Sequence, residues 1–173
     1  CKCVQKQIIS GADFSDNWMT TAQGTCGSLG KFWNIGGYVI MKIIEGGVTA
    51  AKGFQAAAAA AEIKYKGRTD MAMVYSEVPC VAAGTFTTNV VKAAPVKWDQ
   101  DIVYNHPSAQ AIICNSGIAN ACTGTEGYGY CKETADAAAE VLNVAADSVL
   151  VASTGVIGMQ VPIDRIKNGV KMM

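Results

Sequence analysis

The sequence predicts a mixed α/β fold (α/β, α+β mixed), and three observations support this class. Short runs of apolar and β-branched residues recur along the chain, and turn signals such as Pro79 and Asn115-Ser116-Gly117 follow them. A segment with helical periodicity, residues 132–142, separates two of these runs. Half of the residues are hydrophobic and only 16% are charged, which is enough apolar material for a packed core.

Four of the apolar runs are predicted to be strands. The first is residues 71–78, which end at Pro79, and the second is residues 82–88, with Gly84 as a candidate bulge. Residues 110–114 and 148–152 are the other two, and both are predicted to be buried. A small polar turn follows each of these last two strands, which is a usual position for functional side chains.

Two segments are predicted to be helices. Residues 132–142 contain strong helix formers, and one face carries short apolar side chains: Ala135, Ala138, Ala139 and Leu142. A second helix follows Pro162, because apolar residues recur there at helical spacing: Ile163, Ile166 and Val170. The six alanines at residues 56–61 favour a helix by propensity, but such low complexity also fits a loop.

The chain changes character near Met41. Residues 1–40 are rich in Gly, Ser, Thr and Cys and show no sustained period, and the first residue is Cys1. We therefore expect residues 1–40 to be upstream DNA read in frame, or alternatively a genuine N-terminal extension. Residues 41–173 are expected to form one domain or one lobe of a larger unit, and the end at Met173, close to a predicted helix, suggests a fragment or a processed half.

Composition argues against several functional classes. Lys plus Arg equals Asp plus Glu, at 14 each, and the basic residues are scattered, so neither nucleic acid nor an anionic membrane is an expected partner. No apolar run approaches the ~20 residues of a membrane helix, and no secretory signal is visible, so a cytoplasmic location is expected. The seven cysteines form no Cys-x-x-Cys pair, and with the single His106 they predict reduced core thiols rather than a zinc site.

One turn has the residues for a catalytic role. No G-x-S-x-G elbow or Walker-type loop is present, and His106 lies in a surface turn, so a nucleophile–base pair is not expected on this chain. Ser153-Thr154-Gly155 follows a predicted buried strand, where the Thr154 hydroxyl and the Gly155 backbone N–H could lie side by side as an oxyanion hole. One donor of this kind contributes ~3–4 kcal/mol to a transition state. A turn without catalytic function remains the alternative.

Five segments together resemble the ornithine acetyltransferase family, also called the bifunctional arginine biosynthesis protein ArgJ family. They occur in the family order: Glu45-Gly-Gly-Val-Thr-Ala-Ala-Lys-Gly-Phe54, Ala83-Gly-Thr-Phe-Thr-Thr-Asn89, Val91-Lys-Ala-Ala-Pro-Val96, Asn115-Ser-Gly-Ile-Ala-Asn-Ala-Cys-Thr-Gly124 and Val151-Ala-Ser-Thr-Gly-Val-Ile-Gly158. The resemblance covers about residues 42–172. It implies the layered α/β/β/α fold shared with DmpA-type aminopeptidases, of which this chain would be the first half.

The resemblance also implies a function. Family members cleave themselves into an α and a β chain, and the new N-terminal Thr of the β chain is the nucleophile. It takes the acetyl group from N2-acetylornithine and passes it to glutamate, and bifunctional members also accept acetyl-CoA. No metal or organic cofactor is implied. The family oxyanion hole corresponds to Thr154 and Gly155 here, whereas Asn115, Ser116 and Asn120 are expected to support the site structurally.

Further expectations follow from the same resemblance. The partner is the β chain of the same precursor, in a heterotetramer of two α and two β chains, and this chain alone is expected to be inactive. The small-molecule substrates are acetylornithine, glutamate and, in a bifunctional member, acetyl-CoA. Two other functions remain open: a self-cleaving DmpA-type aminopeptidase and a non-catalytic fragment. The family usually has glycines in the region of residues 56–62, where this chain has Ala and Glu, so the local geometry there departs from the family pattern.

Overall fold

The computed structural model describes residues 45–106 and 108–173, together with the backbone of two short strands, β1 (Trp33–Asn34) and β2 (Gly37–Tyr38). These two strands pair in antiparallel orientation. The rest of the predicted extension at residues 1–40, and the boundary at Met41, lie outside the described residues.

A four-stranded mixed sheet organises the described chain. Its strands are β3 (Phe54–Ala59), β4 (Met71–Cys80), β5 (Ala109–Asn115) and β6 (Val149–Ser153), and they lie in the order β3-β4-β5-β6. Strand β4 is antiparallel to both β3 and β5, whereas β6 runs parallel to β5. A parallel neighbour requires a long crossover, and a helix supplies it here. The predicted mixed α/β class is therefore confirmed.

In the part of the chain that the structure describes, three α-helices accompany the sheet: α1 (Ala94–Asn105), α2 (Glu126–Leu142) and α3 (Ile163–Met172). The core lies between these helices and one face of the sheet, and its fully buried members include Met71, Ile113, Cys131, Val149 and Val170. Short side chains at Ala135 and Ala138, both 0% exposed, let α2 pack closely. The two predicted helices are confirmed, although α2 begins six residues before the predicted start.

The opposite face of the sheet carries two rows of apolar side chains, and no described helix covers them. The strand register aligns them in two rows across the sheet. The first row is Ala56, Val74, Ile112 and Leu150, and the second is Ala58, Ala72, Cys114 and Ala152. All eight are exposed or half-buried. We call this surface the bare face; it is where the layered fold of the resemblance would place a second sheet.

Two of the predicted strand and loop assignments are wrong. The alanine-rich segment is neither helix nor loop but strand β3, because its residues pair one by one with β4 from Phe54↔Ser76 to Ala59↔Met71. Tertiary pairing outweighs the helix propensity of alanine there. Residues 82–88 form no strand in the described chain, and most of them are exposed.

Strand β4 also extends past its predicted end. It runs through Pro79 to Cys80, but its register with β5 is irregular between Tyr75 and Cys80. A ladder interrupted in this way tolerates a residue without an N–H group. Strands β5 and β6 match the predicted runs to within one residue at each end.

Candidate active site

Strands β5 and β6 end at the same edge of the sheet, since parallel strands share the direction of their carboxyl ends. Their ladder continues into the following loops, where Thr154 N–H donates to the Asn115 carbonyl at 3.0 Å. Val156 N–H then donates to the Gly117 carbonyl, also at 3.0 Å. The crevice outside the carboxyl ends of parallel strands is the usual place for a ligand site in open α/β sheets.

The two ladder hydrogen bonds leave the Gly155 amide between them without a partner in the sheet. Thr154 and Val156 direct their N–H groups to the β5 side, whereas Gly155 lies in a bend past the end of β6, with a φ of +133°. Within the described residues the Gly155 N–H has no acceptor. The Thr154 side chain is exposed, and its hydroxyl likewise makes no hydrogen bond to any described residue. Two adjacent donors are therefore available at an open edge.

Helix α1 covers the outer edge of β6 at Val149 and Val151, before the strand ends. Trp98 Nε1 donates to the Val149 carbonyl at 2.9 Å, and Val151 N–H donates to the Asp99 carboxylate at 2.9 Å. Val151 lies within β6, whereas Gly155 lies two residues past the end of that strand. The helix thus satisfies the edge at its start and leaves it open at Gly155.

Polar side chains beneath the two loops hold them together. Ser153 Oγ accepts the Asn120 N–H at 2.9 Å and donates to the Ile118 carbonyl at 3.3 Å. Asn115 Nδ2 donates to the same carbonyl at 3.1 Å. Since Asn115 and Asn120 are 7% and 3% exposed, their side chains lie inside the scaffold rather than in the crevice, as expected for supporting residues.

Asn120 also connects this scaffold to the start of α2. Its Nδ2 donates to the Gly127 carbonyl at 2.8 Å, and its Oδ1 accepts the Thr123 hydroxyl at 2.7 Å. Gly127 leaves room for this contact, because a Cβ there would overlap Thr123. Every buried side-chain N or O atom in the described part of the chain has a hydrogen-bond partner.

Burial keeps two thiols near the site protonated. Desolvation, reinforced by the charge of Asp99, raises the pKa of Cys131 to about 12 and also raises the pKa of Cys114. A thiol attacks as its thiolate, so neither cysteine is a suitable nucleophile at neutral pH. Desolvation also raises the pKa of Asp99 to about 6, although the hydrogen bond from Val151 opposes this shift.

The other titratable candidates lie elsewhere. His106 follows the last turn of α1, and its Nδ1 lies 3.1 Å from the Asp147 carboxylate. Over the described ranges, no group of three His, Cys, Asp or Glu side chains is arranged to hold a metal ion. None of the described helices is long and apolar enough to span a membrane.

A pocket that the sequence did not predict lies on the β4 side of the β5 terminus. Its volume is about 240 Å³, and it is lined by Lys64, Tyr65, Arg68, Thr69, Asp70 and Ser116, with Gly117 at the end nearest Gly155. The sequence signal for it is the basic run Lys64-Tyr65-Lys66-Gly67-Arg68, which becomes informative only when the fold places it beside β5. We call this cavity the cationic pocket.

Comparison with known proteins gives one family. The model of the ArgJ family matches residues 55–173. The arginine biosynthesis bifunctional protein ArgJ of Gloeobacter violaceus is 50% identical over 130 residues, which cover 75% of this chain and 32% of that protein. The same protein of Thermotoga neapolitana is 50% identical over 121 residues, 69% of this chain and 30% of that one.

Solved structures agree with this result. ArgJ from Bacillus halodurans superposes with a TM-score of 0.69 at 41% identity, over 73% of this chain and 65% of that chain. Ornithine acetyltransferase from Mycobacterium tuberculosis, solved in complex with ornithine, gives 0.69 at 45% identity, over 73% and 68%. The match spans only about a third of the length of the curated relatives. From the family match, the identities and the shared fold, this chain belongs to the ArgJ family.

Proposed function

We propose that this chain is the α-chain part of a glutamate N-acetyltransferase of arginine biosynthesis. The complete enzyme transfers the acetyl group of N2-acetyl-L-ornithine to L-glutamate, with acetyl-CoA as a second donor if it is bifunctional. The observation that carries the proposal is the pair of adjacent open donors, the Thr154 hydroxyl and the Gly155 N–H, at the carboxyl edge of β5 and β6. Membership in the ArgJ family supplies the reaction class.

In this mechanism Thr154 and Gly155 act on a developing oxyanion. The N-terminal Thr of the β chain attacks the acetyl carbonyl through its hydroxyl, and its own amine accepts the proton. The carbonyl oxygen becomes an oxyanion, which accepts hydrogen bonds from the Thr154 hydroxyl and the Gly155 N–H. Collapse expels the ornithine amine with a proton and leaves an acetyl ester on the β-chain Thr. The glutamate amine then attacks that ester, and the same two donors stabilise the second intermediate.

Two observations support a partner β chain. A similar length of this chain covers 32% of the Gloeobacter protein but 65% and 68% of the two solved chains, so the solved chains are about half as long as that relative. A precursor divided into two chains has this length relationship. The bare face is a large apolar surface that another chain could cover. We propose an assembly of two α and two β chains, which sedimentation of the purified complex would test.

The decisive experiment combines this chain with the β-chain half of its precursor. We expect the co-purified chains to transfer acetyl from acetylornithine to glutamate, and we expect this chain alone to be inactive. The assay would follow N-acetylglutamate formation by mass spectrometry. A folded complex of both chains that hydrolyses peptides but transfers no acetyl group would favour the aminopeptidase alternative and defeat this proposal. A folded complex with neither activity would favour the non-catalytic alternative.

A further inference from the structure

One buried carboxylate organises the segment that connects β3 to β4. Asp70 is 9% exposed, and its two oxygens accept the N–H groups of Ala61 and Ile63, each at 2.7 Å. Its backbone also pairs on both sides, since its N–H donates to the Ala59 carbonyl at 3.1 Å and its carbonyl accepts the Ser116 N–H at 2.8 Å. Asp70 therefore joins β3, the connecting segment and the residue that follows β5, and hydrogen bonds to a charged acceptor are the stronger kind.

Helix α3 holds the same segment from its other side. Arg165 donates to the carbonyls of Glu62 and Ile63. The Ile63 side chain is 2% exposed and belongs to the hydrophobic core, so the segment is also fixed from below. The backbone of residues 61–64 is thus held by a carboxylate, by a guanidinium group and by the core.

This segment packs directly on the backbone of Gly117, the second residue after β5. A Cβ at position 117 would lie 3.2 Å from the Lys64 Cβ and 3.6 Å from both the Ile63 Cγ2 and the Lys64 nitrogen. Such contacts leave no room for a side chain. The φ angle of Gly117, +103°, also favours glycine there. The position of Gly117 therefore depends on the segment that Asp70 holds.

The other side of Gly117 carries the Thr154–Gly155 turn. The Gly117 carbonyl accepts the Val156 N–H at 3.0 Å, and a Cβ at Gly155 would overlap that carbonyl group. One layer of backbone thus separates the segment of residues 61–64 from the turn. Because close-packed groups transmit a displacement, a shift of this segment would move the Gly155 N–H. A misplacement of about 1 Å at a reacting centre can lower the rate by about 100-fold.

We propose that Asp70 is a positioning residue for acetyl transfer, which fixes the Thr154–Gly155 turn through the backbone of Gly117. Its carboxylate is engaged inside the chain and lies on the opposite side of the β5 terminus from that turn, so its part in the reaction is indirect. The catalytic part of this inference rests on the proposed function, whereas the contact path from Asp70 to Gly155 does not.

Steady-state kinetics of the assembled α and β chains tests the catalytic part. Asp70→Asn keeps the size of the side chain, but its NH2 group faces an N–H donor and cannot accept from it. We expect kcat to fall by about tenfold or more. The KM for acetylornithine should change by less than about twofold, because the variant disturbs donors that act in the transition state.

The matched control removes a buried hydrogen bond far from the turn. Ser148 is 7% exposed, and its Oγ donates to the Ala145 carbonyl at 2.6 Å, just before the start of β6. Ser148→Ala should lower the melting temperature as Asp70→Asn does, but it should leave kcat unchanged. A role of Asp70 in stability alone would give both variants the same kcat after correction for the folded fraction, and that result would overturn the proposal.

Amide NMR of the 173-residue chain tests the contact path without turnover. Asp70→Asn should shift the resonances of Gly117 and Gly155 and leave that of Gly53, at the opposite end of the sheet, in place. Ser148→Ala should move neither Gly117 nor Gly155. An unchanged Gly155 resonance in Asp70→Asn would contradict the path. These spectra decide that point even if the wild-type complex transfers no acetyl group, a result that would defeat the proposed function instead.

A second variant keeps the test decisive if Asp70→Asn fails to fold. Arg165 is exposed, so Arg165→Met removes the other clamp on the segment with little disturbance of the core. We expect it to lower kcat by about threefold or more and to shift the Gly117 and Gly155 resonances in the same direction. A wild-type kcat with unmoved resonances in this folded variant would overturn the proposal.

Discussion

Gly155 packs so closely on the backbone of Gly117 that no side chain fits between them. A Cβ at position 155 would lie 2.6 Å from the Ile118 nitrogen and closer still to the Gly117 carbonyl group. The φ angle of Gly155 is +133°, which side chains rarely adopt. Both constraints require glycine at this position.

Replacement of Gly155 by alanine should therefore damage both stability and activity. We expect Gly155→Ala to lower the free energy of unfolding by about 2–4 kcal/mol through steric overlap and backbone strain. Acetyl transfer by the assembled chains should fall to background. Gly158→Ala is the matched control, because Gly158 also has a positive φ, +94°, but a Cβ there meets nothing within 4 Å. It should cost only about 1 kcal/mol in chemical denaturation.

Substitution of Thr154 should lower the rate of acetyl transfer and leave the stability of the fold unchanged. Its side chain is exposed and makes no hydrogen bond to a described residue, so Thr154→Ala should leave the melting temperature unchanged. If its hydroxyl stabilises the oxyanion, the variant should lower kcat by roughly 100-fold. Thr154→Ser retains the hydroxyl and should retain most of the activity. A wild-type rate in Thr154→Ala would remove this residue from the mechanism.

Substitution of Asn120 should lower the free energy of unfolding, because its side chain supports the scaffold rather than the reacting atoms. Removing its side chain leaves the buried Thr123 hydroxyl without its acceptor and removes the hydrogen bond to the Gly127 carbonyl. Because an unsatisfied buried polar group is costly, Asn120→Ala should destabilise the chain by about 2–4 kcal/mol. Ser116→Ala removes an exposed hydroxyl from the same loop and should change the unfolding free energy by less than about 0.5 kcal/mol. Similar unfolding curves for the two variants would contradict this prediction.

Asp99 should make the free energy of unfolding fall as the pH rises, whereas an acid in a salt bridge makes it rise. Its pKa is raised from 3.8 to about 6 in the folded chain by burial, so the folded state binds the proton more tightly than the unfolded state. The contribution of Asp99 to the free energy of unfolding should thus be greatest below about pH 4 and should fall as the pH rises to about 6.

The substitution Asp99→Asn tests that pH dependence. An amide oxygen can still accept the Val151 N–H, but it carries no charge. We expect the variant to be more stable than the wild type by about 1–2 kcal/mol at pH 7.5, a figure reduced for partial exposure, and no more stable at pH 4. Asp101→Asn, on the exposed side of the same helix, is the control and should show no such pH-dependent gain. Denaturant unfolding at both pH values provides the measurement.

The spacing of apolar residues predicted the strands and helices that bury those same residues in the structure. Strands β5 and β6 and helix α3 fall into this group, because each carries apolar residues at the spacing of its structure. Helix α1 was not predicted, although Pro95 lies in its first turn and Trp98 and Ile102 bury one face. Strand β3 was not predicted because its alanines favour a strand only when β4 lies beside them.

The candidate site was partly visible in the sequence. Thr154 and Gly155 could be identified as a turn after a strand, and the family resemblance assigned their role. The close approach of Gly155 to Gly117 could not be predicted, because it depends on the register between β5 and β6. The cationic pocket was missed for a similar reason, since Lys64 and Ser116 come together only through the pairing of Asp70 with Ser116.

The bare face has a relief as well as an apolar character. One row carries the larger side chains Val74, Ile112 and Leu150, and the neighbouring row carries Ala58, Ala72, Cys114 and Ala152. A low ridge therefore crosses the strands beside a shallow furrow. A layer that packs against this surface must place bulky side chains over the furrow and small ones over the ridge. Shape, rather than charge, would then decide which surface can complete the fold.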